Sequence, residues 1–583
     1  MISTSLIHMP TELLLNVLED LRPKDILNMA KACRRLNLIA IPYLLKEMGL
    51  PDPEEFCVVK ASSHRYTDEL AALSVYFPLL SINHFYCIIS HRRDLEDSFI
   101  PPSHISWLID NIRRVNILLS RLSSVGTFSL VIDSWGSGWS LRSEIVQGFV
   151  AWVIDLVHTA MRKSCASLQI LHCHPTTVET NYNFELLRER SGPKLVRTIR
   201  DRIHRLFTRT TQLEDPQFVG NGWRYRKAPS LGPFRCVLPR MPQSALTRLD
   251  IDSEFLLVPP FSAWTFEVLR SSPIITLVFS LPSCITKKEF SVYHFPRIAA
   301  SVPKLLELRC SFPDEGFLNT VVENLHQTPL LRKLVCSLSF SNESISLPSI
   351  PRTIPIIKLV HLTSFTGSPD QAACFLRYPV VLPSLQFINL ISDSYYQSQT
   401  FDTDYTGVAA HFASINRRMM EMNINPCISL CLANQCVVLH GIALVPDGIT
   451  DCFQQFSIVS RLTLEVVYQH PSAETEETSP THDSLIHYTF SWMNVFRGLR
   501  YLTLAVKCNK AIDDPSKLHI VSSIKNRFPE MVSVNLVNLT IEPRKYHYHW
   551  SNAHDDWERG TYNIPMTPSY ERKSRELCVC SDF

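Results

Sequence analysis

Glycine is scarce in this chain, and several common catalytic motifs are missing. Only 16 of the 583 residues are glycine, and no Gly-rich phosphate-binding loop occurs. The chain also lacks a Gly-x-Ser-x-Gly nucleophile elbow and a His-Glu-x-x-His zinc motif. These absences disfavour the nucleotide-binding, serine hydrolase and metalloprotease classes. We therefore predict no catalytic residue, no metal and no cofactor.

Charge is also low. Charged residues make up 19% of the chain, below the usual quarter, and the formal net charge is only +2. So small a net charge produces no global field that would attract nucleic acid or acidic lipid, and neither is expected as a partner. Apolar residues make up 45%, which favours a heavily buried fold. At this length one core is not enough, so several domains or one extended solenoid are expected.

The amino end shows no secretory signal, because Met1 to Leu6 lacks a basic flank and an apolar core. The 17 cysteines are therefore expected to be reduced, mostly buried thiols of an intracellular protein in the cytoplasm, the nucleus or both. The segment Ile424 to Val445 carries no charge, but polar residues such as Asn425 and His440 would be costly in hydrocarbon. We predict buried strands and a turn there, with no membrane span.

Two groups of potential zinc ligands have unfavourable spacing. His172, Cys173 and His174 are consecutive, and neighbours on a strand point to opposite faces. The second group lacks a Cys-x-x-Cys pair. It consists of Cys427, Cys431, Cys436 and His440. Buried thiols are the preferred interpretation, and zinc at the second group is a minor alternative.

The first fifty residues contain the most specific pattern in the chain. Apolar residues recur at helical spacing. They are Leu13, Leu14, Val17, Leu18 and Leu21, followed in a second stripe by Ile26, Leu27, Ala30 and Cys33. Pro23 suits the first position of the second helix, and Asp25 lies near the positive end of its dipole. Two helices this short cannot bury both apolar faces in each other, so the rest of the chain or a partner must cover part of them.

This segment resembles an F-box, the helical module that docks onto a Skp-type adaptor in cullin-based ubiquitin ligases, and it is similar to the fungal type. The resemblance rests on Met9-Pro10, on Glu12-Leu13-Leu14 followed by Val17-Leu18, on Pro23-x-Asp25-Ile26-Leu27, and on Ala30-x-x-Cys33-Arg34-Arg35-Leu36. Met9 stands where the family usually has leucine. The resemblance implies adaptor contacts through Met9, Pro10, Leu13, Leu14, Ile26, Leu27 and Cys33. A helical cap on some other domain is the alternative.

A strand pattern with apolar residues at relative positions 0, 3 and 5 repeats along the rest of the chain. Its copies begin at Leu246, Leu305, Leu331, Leu385, Leu499 and Met531, with weaker copies at Ile274 and Ile356. Helical patterns lie between the copies, for example at Glu315 to Gln327 and Tyr405 to Met422. A repeat of roughly 25 to 40 residues indicates a solenoid.

The repeats resemble degenerate leucine-rich repeats, which implies parallel strands on a concave face and helices on the convex side. The asparagine that the family places after the last strand leucine is missing. Its positions hold Glu254, Pro313, Ser339, Asp393 and Lys507. Irregular curvature is therefore expected. The predicted fold class is α/β, a three-helix F-box followed by an irregular leucine-rich-repeat-like solenoid. An ordinary α/β domain is the alternative.

The predicted domains are an F-box at 1–48, a helical connector at 49–100, the solenoid at 101–542 and a flexible polar tail at 543–583. The solenoid carries a basic amphipathic insert at about 175–235. Arginine guanidinium groups match the geometry of phosphate and carboxylate oxygens, so one role for this insert is to bind an acidic or phosphorylated target. The candidate target-binding residues are Arg197, Arg200 and Arg205. A solvated helix face packed on the core is the other interpretation.

Taken together, the resemblances imply the substrate-recognition subunit of an SCF-type (Skp/cullin/F-box) E3 ubiquitin ligase. Such a receptor is not an enzyme itself: it binds the adaptor, and through it a cullin, while holding an unknown target protein for ubiquitin-dependent degradation. Two alternatives stay open. One is a protein-interaction scaffold that directs no ubiquitylation, and the lesser one is an enzyme of unrecognised class.

Overall fold

The chain divides into two compact units, Met1–Phe312 and Pro313–Phe583. The computed structural model describes residues 9–61, 69–90, 102–133, 144–173, 182–186, 223–227, 244–253, 256–257, 261–280, 285–312, 315–338, 356–393, 405–436, 457–467, 482–508 and 514–540. Most of the basic insert and the whole tail, including Arg197, Arg200 and Arg205, lie outside these ranges.

Helices open the chain and then separate successive strands. The first unit contains α1 (Thr11–Glu19), α2 (Pro23–Ala32), α3 (Arg34–Glu47), α4 (Glu69–Val75), α5 (Pro102–Arg121), α6 (Glu144–Arg162), α7 (Phe261–Ser271), α8 (Lys287–Glu289), a π-helical turn (Phe290–His294) and α9 (Phe295–Ser301). The second contains α10 (Glu315–Asn324), a 3-10 turn (Leu325–Gln327), α11 (Pro369–Arg377), α12 (Tyr405–Met422), α13 (His482–Val495) and α14 (Asp514–Arg527). The helices predicted from 315 and from 405 to 422 are confirmed.

Strands fill the intervals. They are β1 (Phe56–Ala61), β2 (Ser81–Ser90), β3 (Ser124–Asp133), β4 (Ser167–Cys173), β5 (Tyr182–Leu186), β6 (Trp223–Lys227), β7 (Arg248–Ser253), β8 (Thr276–Ser280) and β9 (Glu307–Phe312). The second unit has β10 (Lys333–Leu338), β11 (Ile357–Lys358), β12 (Ser364–Gly367), β13 (Val380–Val381), β14 (Phe387–Asp393), β15 (Cys427–Cys436), β16 (Val459–Val467), β17 (Tyr501–Cys508) and β18 (Ser533–Thr540).

Parallel pairing in sequence order dominates both units. In the first, the described strands run β1-β2-β3-β4-β7-β8-β9, and in the second they run β10-β12-β14-β15-β16-β17-β18. Each neighbouring pair within a unit is parallel. The strands β5 and β6 form a separate two-stranded antiparallel sheet inside the basic insert. An α/β fold with a long parallel sheet, as the sequence predicted, is confirmed.

The spacing at positions 0, 3 and 5 corresponds to buried ladders across neighbouring strands. Leu249 pairs with Leu277 and Leu277 with Leu308, and all three are at most 1% exposed. Because strand side chains alternate, positions 3 and 5 of each copy share one face of the sheet. In the copy at Met531, Val534 and Leu536 are only half-buried, since among the described strands β18 has a neighbour, β17, on one side alone.

Two predictions about this pattern were wrong. The segment 49–100, predicted to be a helical connector, contains α4 but also β1 and β2, which are paired in the sheet. The copy predicted at Ile356 belongs to β11, which pairs with β13 in a separate small sheet. The strand of the main sheet follows at β12, where Phe365 is buried. Aromatic residues, cysteines and a glycine occupy ladder positions in these strands, so a search for regularly spaced leucines does not detect these strands.

Basic side chains link neighbouring helices at two places in the described part of the chain. Lys163 Nζ donates to the carbonyl of Ser120 near the end of α5, at 2.8 Å. Arg418 of α12 donates from Nε to Leu376 O at 2.8 Å and from Nη2 to Tyr378 O at 3.2 Å, at the end of α11. Helix carboxyl ends carry unpaired carbonyls and partial negative charge, so cations stabilise them. These contacts join one strand–helix layer to the next.

The sheet face opposite the apolar ladders is polar and hydrogen-bonded. Ser129 Oγ lies 2.7 Å from Gln169 Oε1, and Gln169 Nε2 donates to Asp250 Oδ2 at 3.1 Å. Arg248 donates to both carboxylate oxygens of Asp250 at 2.8 Å. The second unit has a comparable contact from Asn389 to Thr366 at 3.3 Å. These buried polar groups therefore have partners along the sheet.

A buried histidine makes the stability of the first unit depend on pH. His158 of α6 accepts a hydrogen bond from Trp264 Nε1 of α7 at 3.0 Å, and both side chains are at most 2% exposed. Burial lowers the pKa of His158 from 6.5 to about 4; Arg162 lowers it further, while Asp155 opposes both. The unfolded chain therefore takes up the proton at a higher pH than the folded chain.

We expect the free energy of unfolding to fall as the pH drops from 6.5 to about 4, by about 2 kcal/mol from His158 after allowing for solvent screening. His158→Gln keeps an acceptor for Trp264 but does not titrate. Urea unfolding across this pH range should therefore be flatter for the variant. Equal slopes would show that His158 is not responsible. His294, whose pKa burial lowers to about 3, leaves a residual slope in both proteins.

No helix within the described ranges combines the length and apolarity needed to cross a membrane.

Candidate functional site

The first helix begins immediately after Pro10, whose extended backbone keeps the helix from starting earlier. Pro10 precedes α1 with φ of −52° and ψ of 148°, and its carbonyl accepts from Leu14 N at 3.1 Å. Leu14 and Leu18, one turn apart, point inward and are at most 1% exposed. Leu13 is rotated about 100° from Leu14, as helix geometry requires, and 48% of it is exposed.

The second helix starts where its sequence predicts, but it ends at Ala32, before Cys33, which the sequence pattern placed in its apolar stripe. Pro23 is the first residue of α2, and Asp25 accepts from Arg22 Nε at 2.9 Å in the first turn. Ile26 and Leu27 are buried, at 3% and 8% exposure. Cys33 breaks the helix with an extended backbone, φ −159° and ψ 163°, before α3 begins. The extended residue turns the chain so that α3 packs back on α2.

The third helix completes the module. It buries apolar residues along one side, namely Leu36, Ala40, Ile41, Leu44 and Leu45. After its end, Gly49 has φ of +81°, a left-handed conformation that favours glycine, and the following amide of Leu50 donates to Leu45 O at 2.7 Å. The predicted two helical stripes therefore share their core with a third helix.

The seven predicted adaptor contacts divide into surface and interior. Pro10 and Leu13 are exposed, and Met9 and Cys33 are half-buried. The other three lie in the interior of the module: Leu14, Ile26 and Leu27. Their binding roles remain predictions. The geometry gives the interior three a direct role in holding the helices together and leaves the surface four accessible to another polypeptide.

Sequence reasoning passed over two further residues at this surface. Arg35 Nη2 donates to the carbonyl of Met9 at 2.7 Å, which fixes the segment before α1 against α3. Leu38, one turn beyond Arg35, is 46% exposed. We call Met9, Pro10, Leu13 and Leu38 the apolar surface. The helical spacing from Arg35 to Leu38 could have indicated Leu38, but the predicted contacts came from the two apolar stripes and the Met9-Pro10 pair, all of which precede it.

A buried asparagine joins this module to the strand–helix part of the first unit. Asn37 of α3 is fully buried, and its Nδ2 donates to Val75 O at 2.9 Å and to Ala30 O at 3.3 Å. Its Oδ1 accepts from Phe77 N at 3.3 Å. Val75 ends α4 and Phe77 follows it, so one side chain connects three backbone groups from two parts of the fold. The helical module is therefore fixed to the layer that follows it.

The cysteines near this module are buried thiols without activation. Cys57 and Cys87 lie on neighbouring strands and are fully buried. Burial raises the pKa of Cys57, and it raises the pKa of Cys87 to about 12. At neutral pH both stay protonated, which makes them poor nucleophiles and poor metal ligands.

The structure does not bring the described candidate zinc ligands together. Cys427 and Cys431 stand four residues apart on β15, which separates them by about 13 Å along the strand. A shared ion between these two is therefore excluded. Cys173 ends β4, and His174 and His440 lie outside the described ranges. Within those ranges, no group of three His, Cys, Asp or Glu side chains has the arrangement of a metal site.

Residues 6–50 match the protein family described as F-box-like. The match covers α1, α2 and α3 together with Gly49 and Leu50. The amino-terminal module is therefore an F-box-like domain, and F-box domains generally bind Skp-type adaptors. A comparison with curated proteins gives no match.

Proposed function

We propose that this chain is the substrate-recognition subunit of an SCF-type E3 ubiquitin ligase. Its F-box-like domain binds a Skp-type adaptor, and through the adaptor a cullin. The observation that carries the proposal is the family match over 6–50 combined with an apolar surface that the domain leaves uncovered. Rigid, exposed apolar groups favour a protein partner, because their burial is the main gain in association.

The rest of the described chain is proposed to be an irregular leucine-rich-repeat-like solenoid that holds the target. Parallel strands paired in sequence order, ladders of apolar residues and helices between strands support this proposal. The polar face opposite the ladders, which carries the paired side chains of Arg248 and Asp250, is the side of the sheet that we propose faces the target. Arg197, Arg200 and Arg205 remain proposed target contacts for an acidic or phosphorylated segment.

In this role the protein contributes no catalytic side chain of its own. It raises the effective concentration of a target lysine near a charged conjugating enzyme, which converts a bimolecular encounter into an intramolecular one. Rigidity between the docking domain and the target-binding part matters, because a defined geometry maintains that concentration. The fixation of α3 by Asn37 supports such rigidity within the first unit.

The first experiment is capture of the adaptor. Full-length protein, purified and mixed with a purified Skp-type adaptor, is expected to form a 1:1 complex in size-exclusion chromatography with light scattering. Absence of a complex at micromolar concentrations of both proteins would overturn the proposal.

A second experiment separates a ligase receptor from an interaction scaffold. Proteins captured on the full chain with the proteasome blocked are identified by mass spectrometry, and their half-lives are then followed after depletion of the receptor. Longer half-lives are expected for a target of a ligase. Unchanged half-lives of every captured protein would favour the scaffold.

A further inference from the structure

Outside the F-box-like domain, two more large apolar side chains of the first unit are exposed in a turn that contacts α3. They lie in the five-residue turn between α4 and β2, Tyr76–Leu80, which we call the α4–β2 turn. Phe77 is 58% exposed and Leu80 is 63% exposed, whereas Leu79 between them is buried at 3%. The turn therefore anchors itself with one leucine and presents its neighbours to solvent.

The backbone of this turn is held from three directions. Asn37 of α3 accepts from Phe77 N at 3.3 Å. Arg121 at the end of α5 donates to Tyr76 O at 3.4 Å and also to Ser74 O. Ser123, just before β3, donates to Leu80 O from its backbone N at 2.7 Å and from Oγ at 2.8 Å. An exposed phenylalanine on a fixed backbone loses little conformational entropy on binding, which is the property of a preorganised anchor.

The turn contacts α3 beside one residue of the apolar surface, Leu38. The bond from Phe77 to Asn37 places the turn against α3 at the residue immediately before Leu38, which is 46% exposed. Four of the exposed large apolar side chains of the first unit lie either in that domain or in the turn: Leu13, Leu38, Phe77 and Leu80. No residue of Tyr76–Leu80 carries a charge at neutral pH, so an apolar partner surface meets no desolvated ion there.

We infer that Phe77 and Leu80 form a second contact for the Skp-type adaptor, beyond the residues that match the F-box-like family. This inference rests on the proposed function. The occupant is the adaptor because Leu38, part of its proposed docking surface, directly follows Asn37, and Asn37 joins α3 to the turn. A polypeptide seated on Leu38 is thereby brought to Phe77. The fixed turn also restrains the angle between the adaptor and the sheet of the first unit.

The test compares adaptor affinities of full-length variants by isothermal titration calorimetry with a purified Skp-type adaptor. Phe77→Ser combined with Leu80→Ser is expected to weaken binding about 30-fold, since two anchors of the interface are lost. Its melting temperature should stay within about 2 °C of the wild type, because both side chains are already in solvent. Ile275→Ser is the matched control: Ile275 precedes β8, is 38% exposed, and should leave the affinity unchanged.

The possible outcomes separate this inference from the proposed function. Wild-type affinity in the double variant, with Leu13→Asp still losing the adaptor, would refute the second contact and leave the proposed function intact. A wild-type chain that binds no adaptor would overturn both. A wild-type dimer that the double variant converts to monomer, with adaptor affinity unchanged, would assign the turn to self-association and refute the inference.

Discussion

Leu13→Asp is expected to abolish adaptor binding while leaving the fold intact. Leu13 is 48% exposed on α1, so a carboxylate there stays hydrated in the free protein. In the complex that carboxylate would be buried against an apolar partner without a counter-ion, which is costly. We expect at least about a 100-fold loss of affinity, the scale of a central interface residue. Titration calorimetry and circular dichroism on the same samples provide the measurement.

Leu14, the next residue, is expected to respond differently from Leu13, a difference that the sequence pattern alone does not predict. Leu14 is fully buried, so Leu14→Asp places an unpaired carboxylate in the core of the three-helix module and is expected to unfold it. Leu518→Asp, at a site in α14 that is 68% exposed, is the matched surface control and should affect neither fold nor binding. Full adaptor affinity in Leu13→Asp would remove this side chain from the docking surface.

Asn37→Leu is expected to lower the free energy of unfolding of the first unit by about 3 kcal/mol. The substitution removes three hydrogen bonds, to Ala30 O, Val75 O and Phe77 N, and each contributes about 0.5 to 1.5 kcal/mol. The α4–β2 turn should also exchange its amide hydrogens faster, because Asn37 holds its backbone. Urea unfolding and hydrogen-exchange mass spectrometry measure the two effects.

Two variants sharpen this experiment. Asn28→Leu replaces an exposed asparagine of α2 and should leave the stability within about 0.5 kcal/mol of the wild type. Asn37→Asp retains an oxygen for Phe77 N but loses the donor to Val75 O, so an intermediate loss is expected. A wild-type stability in Asn37→Leu would show that the module is held to the next layer by apolar packing alone.

The strands show which elements the spacing of apolar residues in the sequence predicts and which it does not. Copies of the spacing at Leu305 and Leu331 were found because leucines mark them, and β9 and β10 contain the second and third positions of those copies. Ile82, Phe85 and Cys87 have the same spacing in β2 and are buried, yet helical patterns on either side concealed them. A short apolar run is compatible with both a helix and a strand, and only pairing with a neighbouring strand decides between them.

The F-box-like domain shows the same limit at a finer scale. Spacing placed Leu13 and Leu14 together in one apolar stripe. A stripe on a helix is broad enough to include residues that face the core and residues that face solvent at its margin. Which leucine is buried depends on where α3 packs, and α3 is positioned by Asn37 and by the contact of Arg35 with Met9. Leu38 was missed for the same reason.

The amino-acid sequence by itself determined the helical module, its likeness to an F-box and an α/β fold with a regular strand spacing, because periodicity and helix-start signals are local properties of a chain. Tertiary structure alone decided which apolar residues remain exposed and which buried polar group joins the module to the sheet. Exposure and long-range hydrogen bonds depend on residues far apart in the chain, such as Asn37 and Phe77, that only folding brings within 3.3 Å of each other.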